Sequence, residues 1–89
     1  MLNEKIEIIN QLGLHARAAA KFVSTATRFE SQVTLTKDGR EVDGKSIMSV
    51  MMLAASIGTV LEVRTEGPDE HEALEAIKAL ILDFFGEGQ

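Results

Sequence analysis

Polar and apolar side chains change their period several times along this chain. From Leu2 to Ile9 they alternate, with Leu2, Ile6 and Ile8 on one side and Lys5 and Glu7 on the other. A period of two predicts a half-buried strand, and Asn10, Gln11 and Gly13 break it. From Ala16 the period lengthens. Ala19, Phe22, Val23 and Ala26 fall at i, i+3, i+4 and i+7, the apolar stripe of a helix. The alanine-rich run 16–20 has high helix propensity. A helix over about Ala16 to Thr27 puts His15 at or next to its N-cap. Gln32 to Thr36 alternates again. Asp38-Gly39 then predicts a type I′ hairpin turn, which needs positive φ at both central residues. Arg40 to Val42 is the return strand.

After the loop Asp43-Gly44-Lys45, Ser46 is a good N-cap. Ile47, Val50, Met51 and Ala54 make a second helical stripe, and Gly58 is placed to end that helix. Thr59 to Thr65 reads as a strand, stopped by Gly67-Pro68. Asp69 and Glu72 form the pattern of a capping box. Ala73, Leu74, Ile77, Leu80, Ile81 and Phe84 supply the apolar face of a last helix. The tail, 86–89, is expected to fray. The order is β-α-β-β-α-β-α. Helices with one apolar stripe each and half-polar strands are best satisfied by a two-layer α+β fold, with three helices on one face of a four-stranded, mainly antiparallel sheet. The first two strands, joined through a helix, fit a parallel relation with another strand between them. Periodicity leaves the strand order open.

Composition narrows the function. The 89 residues suffice for one small domain spanning 1–89. Aromatic residues are only 4%, so the core is expected to consist of Ile, Leu, Val, Met and Ala. A net charge of −5 argues against nucleic acid as a partner. Without cysteine there is no disulfide, thiolate zinc site or cysteine nucleophile. Met1 to Lys5 lacks the features of a signal peptide. No apolar run approaches the roughly 20 residues that span a bilayer. A cytoplasmic protein without membrane insertion is the expectation. His71 has no metal-ligating neighbour at suitable spacing and reads as solvated, so no metal and no cofactor is expected. Lys37, Asp38, Arg40 and Glu41 read as a charged hairpin tip.

The remaining candidate chemistry is Gly13-Leu14-His15-Ala16-Arg17. A group that takes up and releases phosphate near pH 7 must be a good nucleophile and a good leaving group. Imidazole suits both, with an ordinary pKa of about 6.5. A helix N-terminus offers free N–H groups and partial positive charge. The amides of Ala16 and Arg17 are so placed, the Arg17 guanidinium can add a charge-assisted contact, and Gly13 permits a tight entry turn. The plainer account makes His15 a polar cap and Arg17 a solvated first-turn residue. Capping alone likewise accounts for Ser46. Ile47, Met48, Met51 and Met52 form an apolar set in which Met51 is expected mainly in the core. Met48 and Met52 suit a partner-facing surface, since thioethers adapt to several partners.

The motif at 13–17 closely resembles the active-site motif of the HPr family, the histidine-containing phosphocarriers of the bacterial phosphoenolpyruvate:sugar phosphotransferase system. Lys45-Ser46-Ile47-Met48-Ser49-Val50-Met51 resembles that family's regulatory serine segment. Two motifs at matching spacing, together with length and element order, extend the resemblance over essentially the whole chain. It implies an open-faced β-sandwich with strand order 1-4-2-3. It implies that His15 is phosphorylated through Nδ1 by phospho-Enzyme I and passes the group to enzyme IIA domains, with Arg17 stabilising the phosphate. It implies a monomeric, stoichiometric carrier rather than an enzyme, with small transient interfaces. It makes Ser46 a target of an HPr kinase/phosphorylase where the host has one. The family usually has proline after the arginine, and Ala18 stands there in this chain. Altered transfer rates with an intact helix are the expectation. The resemblance leaves open a nitrogen-related or purely regulatory phosphotransferase paralogue. A non-catalytic α+β regulatory module, in which His15 only caps a helix, is the competing class.

Overall fold

The computed structural model describes residues 1–88. Its elements are β1 (Leu2–Glu7), α1 (Ala16–Ala26), β2 (Gln32–Lys37), β3 (Arg40–Asp43), α2 (Ile47–Met52), β4 (Val60–Glu66) and α3 (Glu70–Leu82), followed by a 3₁₀ turn at Phe84–Gly86. The sheet order is β1-β4-β2-β3 and every pairing is antiparallel. β1 and β2 therefore run parallel with β4 between them, the arrangement that a helical crossover permits. Inward residues stack across the register: Ile6 faces Leu61, and Leu35 faces Val63. All four are buried under the helices, as are Ala19, Phe22 and Ala26 of α1 and Leu74, Ile77 and Ile81 of α3. The other face of the sheet is open and polar. Lys5 lies opposite Glu62, and the Asn3 amide donates to Glu62 Oε1 at 3.0 Å. The result is an open-faced two-layer sandwich. No helix among the described residues is long and apolar enough to cross a membrane.

α1 begins at Ala16 and Ala18 is fully buried, so the first turn forms without proline at that position. The 38–39 hairpin has φ of 51° at Asp38 and 81° at Gly39, the positive values that the turn type requires. Its charged tip leaves Arg40 and Glu41 exposed, while Lys37 is engaged. Lys37 Nζ donates to the carbonyls of Leu53 and Ala54 at 2.9 and 3.3 Å, placing a cation at the C-terminal end of α2.

Four expectations are corrected. α2 ends at Met52, not at Gly58. Leu53 and Ala55 turn inward and are buried, and Ala54, at φ 52°, takes the left-handed position that reverses the chain. Gly58 belongs to the next turn, where its N–H bonds the Ile8 carbonyl at 2.8 Å. The Asp69–Glu72 capping box does not form, because Asp69 makes no side-chain cap bond. Its carboxylate instead accepts from the Glu30 and Ser31 amides at 3.0 and 2.9 Å and from the Ser31 hydroxyl at 2.5 Å, clasping the start of α3 to the start of β2. Phe84 does not continue the stripe of α3. Both Phe84 and Phe85 have positive φ, and the reversal drives Phe85, not Phe84, fully into the core. Gly86 and Glu87 of the tail are not frayed: Gly86 closes the 3₁₀ turn, and Glu87 bonds Asn10 and His15. Gln89 lies outside the described residues.

Candidate functional site

The loop before α1 is clamped before it reaches His15. The Gly13 N–H bonds the Asn10 carbonyl at 3.2 Å, and the Leu14 N–H bonds the Ala55 carbonyl at 2.8 Å. Leu14 is buried, and Gly13 has φ +67° in a place where a Cβ would run into the Ala55 carbonyl oxygen and Ser56 Cα. This anchor delivers His15 in an extended conformation, φ −74° and ψ −179°, with its carbonyl accepting the first helical bond, from Ala19, at 2.8 Å. His15 is the N-cap by backbone only, since its side chain caps nothing. Its imidazole is left for other contacts. The amides of Ala16 and Arg17 bond no protein group among the described residues, as expected at a helix start.

The ring does not stand alone. His15 Nε2 lies 2.5 Å from Glu87 Oε2. The other carboxylate oxygen, Oε1, accepts from Asn10 Nδ2 at 3.1 Å, and Nδ2 also donates to the Gly13 carbonyl at 2.8 Å. Lys21 Nζ, on α1, donates to the Phe85 carbonyl at 2.7 Å and holds the tail at the site. The His15 side chain is 27% exposed and that of Glu87 10%. Burial pushes the Glu87 carboxyl up. The hydrogen bonds from His15 and Asn10, with the charges of His15 and Lys21, outweigh that and hold it below the ordinary 4.5. Asn10 is fully buried and its Oδ1 has no hydrogen-bond partner.

Arg17, in the first turn of α1, is exposed and makes no hydrogen bond or ion pair among the described residues. It is available to an incoming anion and makes no hydrogen bond to His15. Ser46 caps α2, its Oγ accepting from the Ser49 amide at 3.4 Å. Around it Met48 and Met52 are 66% and 57% exposed, with Ile47 beside them. Met51, expected mainly in the core, keeps 38% of its surface exposed, because α2 is too short to bury more than Val50. α1 and α2 pack together. His71 is exposed, as read from its position. An open depression of about 450 Å³, lined by Gln32, Thr34, Lys45 and Arg64 among others, includes none of these groups. Among the described residues no cluster of three or more His, Asp and Glu side chains is arranged to hold a metal ion.

Glu87 and Asn10 were not legible as site residues. Asn10 read only as a strand breaker, and Glu87 lies 72 residues from His15 in a tail without hydrophobic pattern. Chemically, the arrangement presents an imidazole at a helix start, with unpaired amides and a free guanidinium close in sequence. That combination can take up an anionic group on the ring.

The comparisons point the same way. The family model described as "PTS HPr component phosphorylation site" matches residues 2–83. A curated relative, the phosphocarrier protein HPr of Neisseria meningitidis, is 57% identical over 89 residues, covering 100% of both chains. The crystal structure of HPr-C-His from Thermoanaerobacter tengcongensis superimposes with a TM-score of 0.95 at 49% identity, covering 98% of each chain. A crystal structure of an HPr dimer from the same organism matches with a TM-score of 0.79, also at 49% identity, over 98% of this chain and 100% of that one.

Proposed function

Starting from the fact that the chain belongs to the HPr family of phosphotransferase-system phosphocarriers, we propose that it is a single-domain carrier, residues 1–89, that accepts a phosphoryl group on His15 and passes it on. One observation carries this reading. His15 starts α1 through its backbone while its imidazole stays out of the cap, beside the unpaired amides of Ala16 and Arg17. A helix start of this kind favours a negative group through both the amides and the dipole. Arg17, exposed and unpaired, supplies the mobile countercharge.

The donor in this reading is phospho-Enzyme I, charged from phosphoenolpyruvate, and the acceptors are histidines of enzyme IIA domains. The chain acts in the cytoplasm, as a monomer and stoichiometrically, without turnover of its own. Ile47, Met48, Met51 and Met52 form an adaptable apolar surface for these partners. Ser46 lies at the edge of that surface. A phosphate there would bring about two negative charges to the start of α2, weakening the docking of Enzyme I rather than unfolding the helix.

The test is incubation with Enzyme I and phosphoenolpyruvate. Wild type should acquire an acid-labile, alkali-stable phosphate, and His15→Ala should acquire none. Equal labelling of the two would refute the reading, as would a wild type that stays unlabelled. Ser46→Asp should slow labelling of His15; an unchanged rate would remove Ser46 from the regulation.

A further inference from the structure

Nothing in a carrier role requires a residue from the far end of the chain, yet Glu87 reaches back to the nucleophile. Resting on the phosphocarrier reading, the geometry points to Glu87 as a positioning residue that accepts the Nε2–H of His15 and so keeps the ring in the tautomer whose Nδ1 carries the free lone pair.

Three features support this. First, both carboxylate oxygens are engaged: Oε2 by His15 and Oε1 by Asn10, whose Nδ2 is itself fixed on the Gly13 carbonyl. The acceptor is therefore held in place by the same loop that delivers His15. Second, Glu87 is ionised near neutral pH, since its hydrogen bonds outweigh the upward push of burial. An ionised carboxylate only accepts, so the shared hydrogen resides on Nε2, and a neutral imidazole carries a single N–H. Third, Nδ1 has no hydrogen-bond partner among the described residues. Tethering the tail does not by itself require this contact, because the buried Phe85 ring and the bond from Lys21 to the Phe85 carbonyl already anchor it.

The transfer step balances without moving a proton on the carrier. The Nδ1 lone pair attacks the phosphorus of the donor phosphohistidine. A new N–P bond forms, the donor N–P bond breaks, and the donor imidazole takes the electron pair. The His15 ring is then a phosphorylated imidazolium that retains its Nε2–H, facing the Glu87 carboxylate. When an acceptor histidine attacks the same phosphorus, the pair returns to Nδ1. Nε2–H stays bonded to Glu87 throughout.

The test compares wild type, Glu87→Ala and Glu87→Gln by ¹⁵N-resolved NMR of the His15 ring in the unphosphorylated protein, at a pH where the ring is neutral. Each is also assayed for the rate of labelling by Enzyme I and phosphoenolpyruvate. Wild type should show the Nε2–H tautomer alone. Glu87→Ala should show a mixture of both tautomers and label about tenfold more slowly, as expected for losing a charge-assisted hydrogen bond. Glu87→Gln, whose amide oxygen still accepts, should keep the Nε2–H tautomer and label at an intermediate rate. The proposal is overturned if wild type holds Nδ1–H, or if Glu87→Ala leaves the ring spectrum unchanged. The two readings fail separately: an unlabelled wild type sinks the carrier role, while the ring spectra still decide the role of Glu87.

Discussion

Gly13→Ala should destabilise the protein well beyond what its backbone conformation explains, and a second glycine provides the control. Gly13 and Gly39 both have positive φ, +67° and +81°. A Cβ at Gly39 would meet nothing within 4 Å, so Gly39→Ala reports the conformational term alone. That term is about 1–2 kcal/mol for a non-glycine residue in the left-handed region, less about 0.4–1 kcal/mol recovered from the reduced entropy of the unfolded chain. At Gly13 the added Cβ would lie 2.5 Å from the Ala55 carbonyl oxygen and 2.9 Å from Ser56 Cα. Both are backbone atoms, and that same oxygen accepts from the Leu14 N–H. Forcing them apart adds about 1–3 kcal/mol of overpacking and about 1 kcal/mol for the strained hydrogen bond. Gly39→Ala should thus cost about 1 kcal/mol and Gly13→Ala about 3–5 kcal/mol. Urea unfolding followed by far-UV circular dichroism measures both, with m unchanged if only the folded state is affected. The protein has no Trp or Tyr, so backbone ellipticity is the practical probe. Costs for the two variants within about 0.5 kcal/mol of each other, the margin within which independent effects add, would refute the claim that the loop before His15 is clamped on Ala55.

Other substitutions probe the end of α3, the Asp69 clasp and the end of α2. Phe85→Ala should cost about 3–5 kcal/mol, and Phe84→Ala markedly less, because only Phe85 is fully buried; equal melting temperatures for the two would contradict the reversal after α3. Asp69 is held below its ordinary 3.8, first by the Ser31 hydroxyl and then by backbone amides. A depressed carboxylate contributes stability in full above 3.8, and loses it as pH falls through the folded value. Asp69→Asn should therefore be less stable already at neutral pH, with a shallower loss on acidification. The acid limb should persist in part, because Glu70 is also held low, by the Met1 amino group first and then the Gly67 amide. Parallel acid-unfolding curves for wild type and Asp69→Asn would exclude the clasp. Lys37→Met should loosen the end of α2, by about 0.3–1 kcal/mol, seen as faster hydrogen exchange of the α2 amides; unchanged exchange would count against the contact with Leu53 and Ala54.

Much of the layer architecture was legible in the chain. Period-two and period-3.6 patterns identified the strands and helices because each element buries one face, and burial of a face is written locally. The hairpin at Asp38-Gly39 and the cap at Ser46 were legible for the same reason. The motif at 13–17 stands out because the candidate nucleophile and the helix it starts are neighbours in sequence. The elements that failed did so at their ends. Gly58 lost the end of α2 to Ala54, and Phe84 lost its core place to Phe85. In both cases a residue with a side chain accepted a left-handed conformation because buried neighbours, Leu53 and Ala55 in one case and Phe85 in the other, stabilise the reversal.

The sequence by itself thus determined the element order, the buried faces, the candidate nucleophile and the free helix start in front of it. Only the tertiary structure decided what that histidine touches. Asp69 gave up a local cap for Ser31, 38 residues away, and Lys37 closes the end of α2. Glu87 crosses 72 residues to reach His15. Polar contacts of this kind carry no periodicity. They depend on where the packed layers bring distant segments together, and a half-buried carboxylate takes whichever donors that packing leaves within reach.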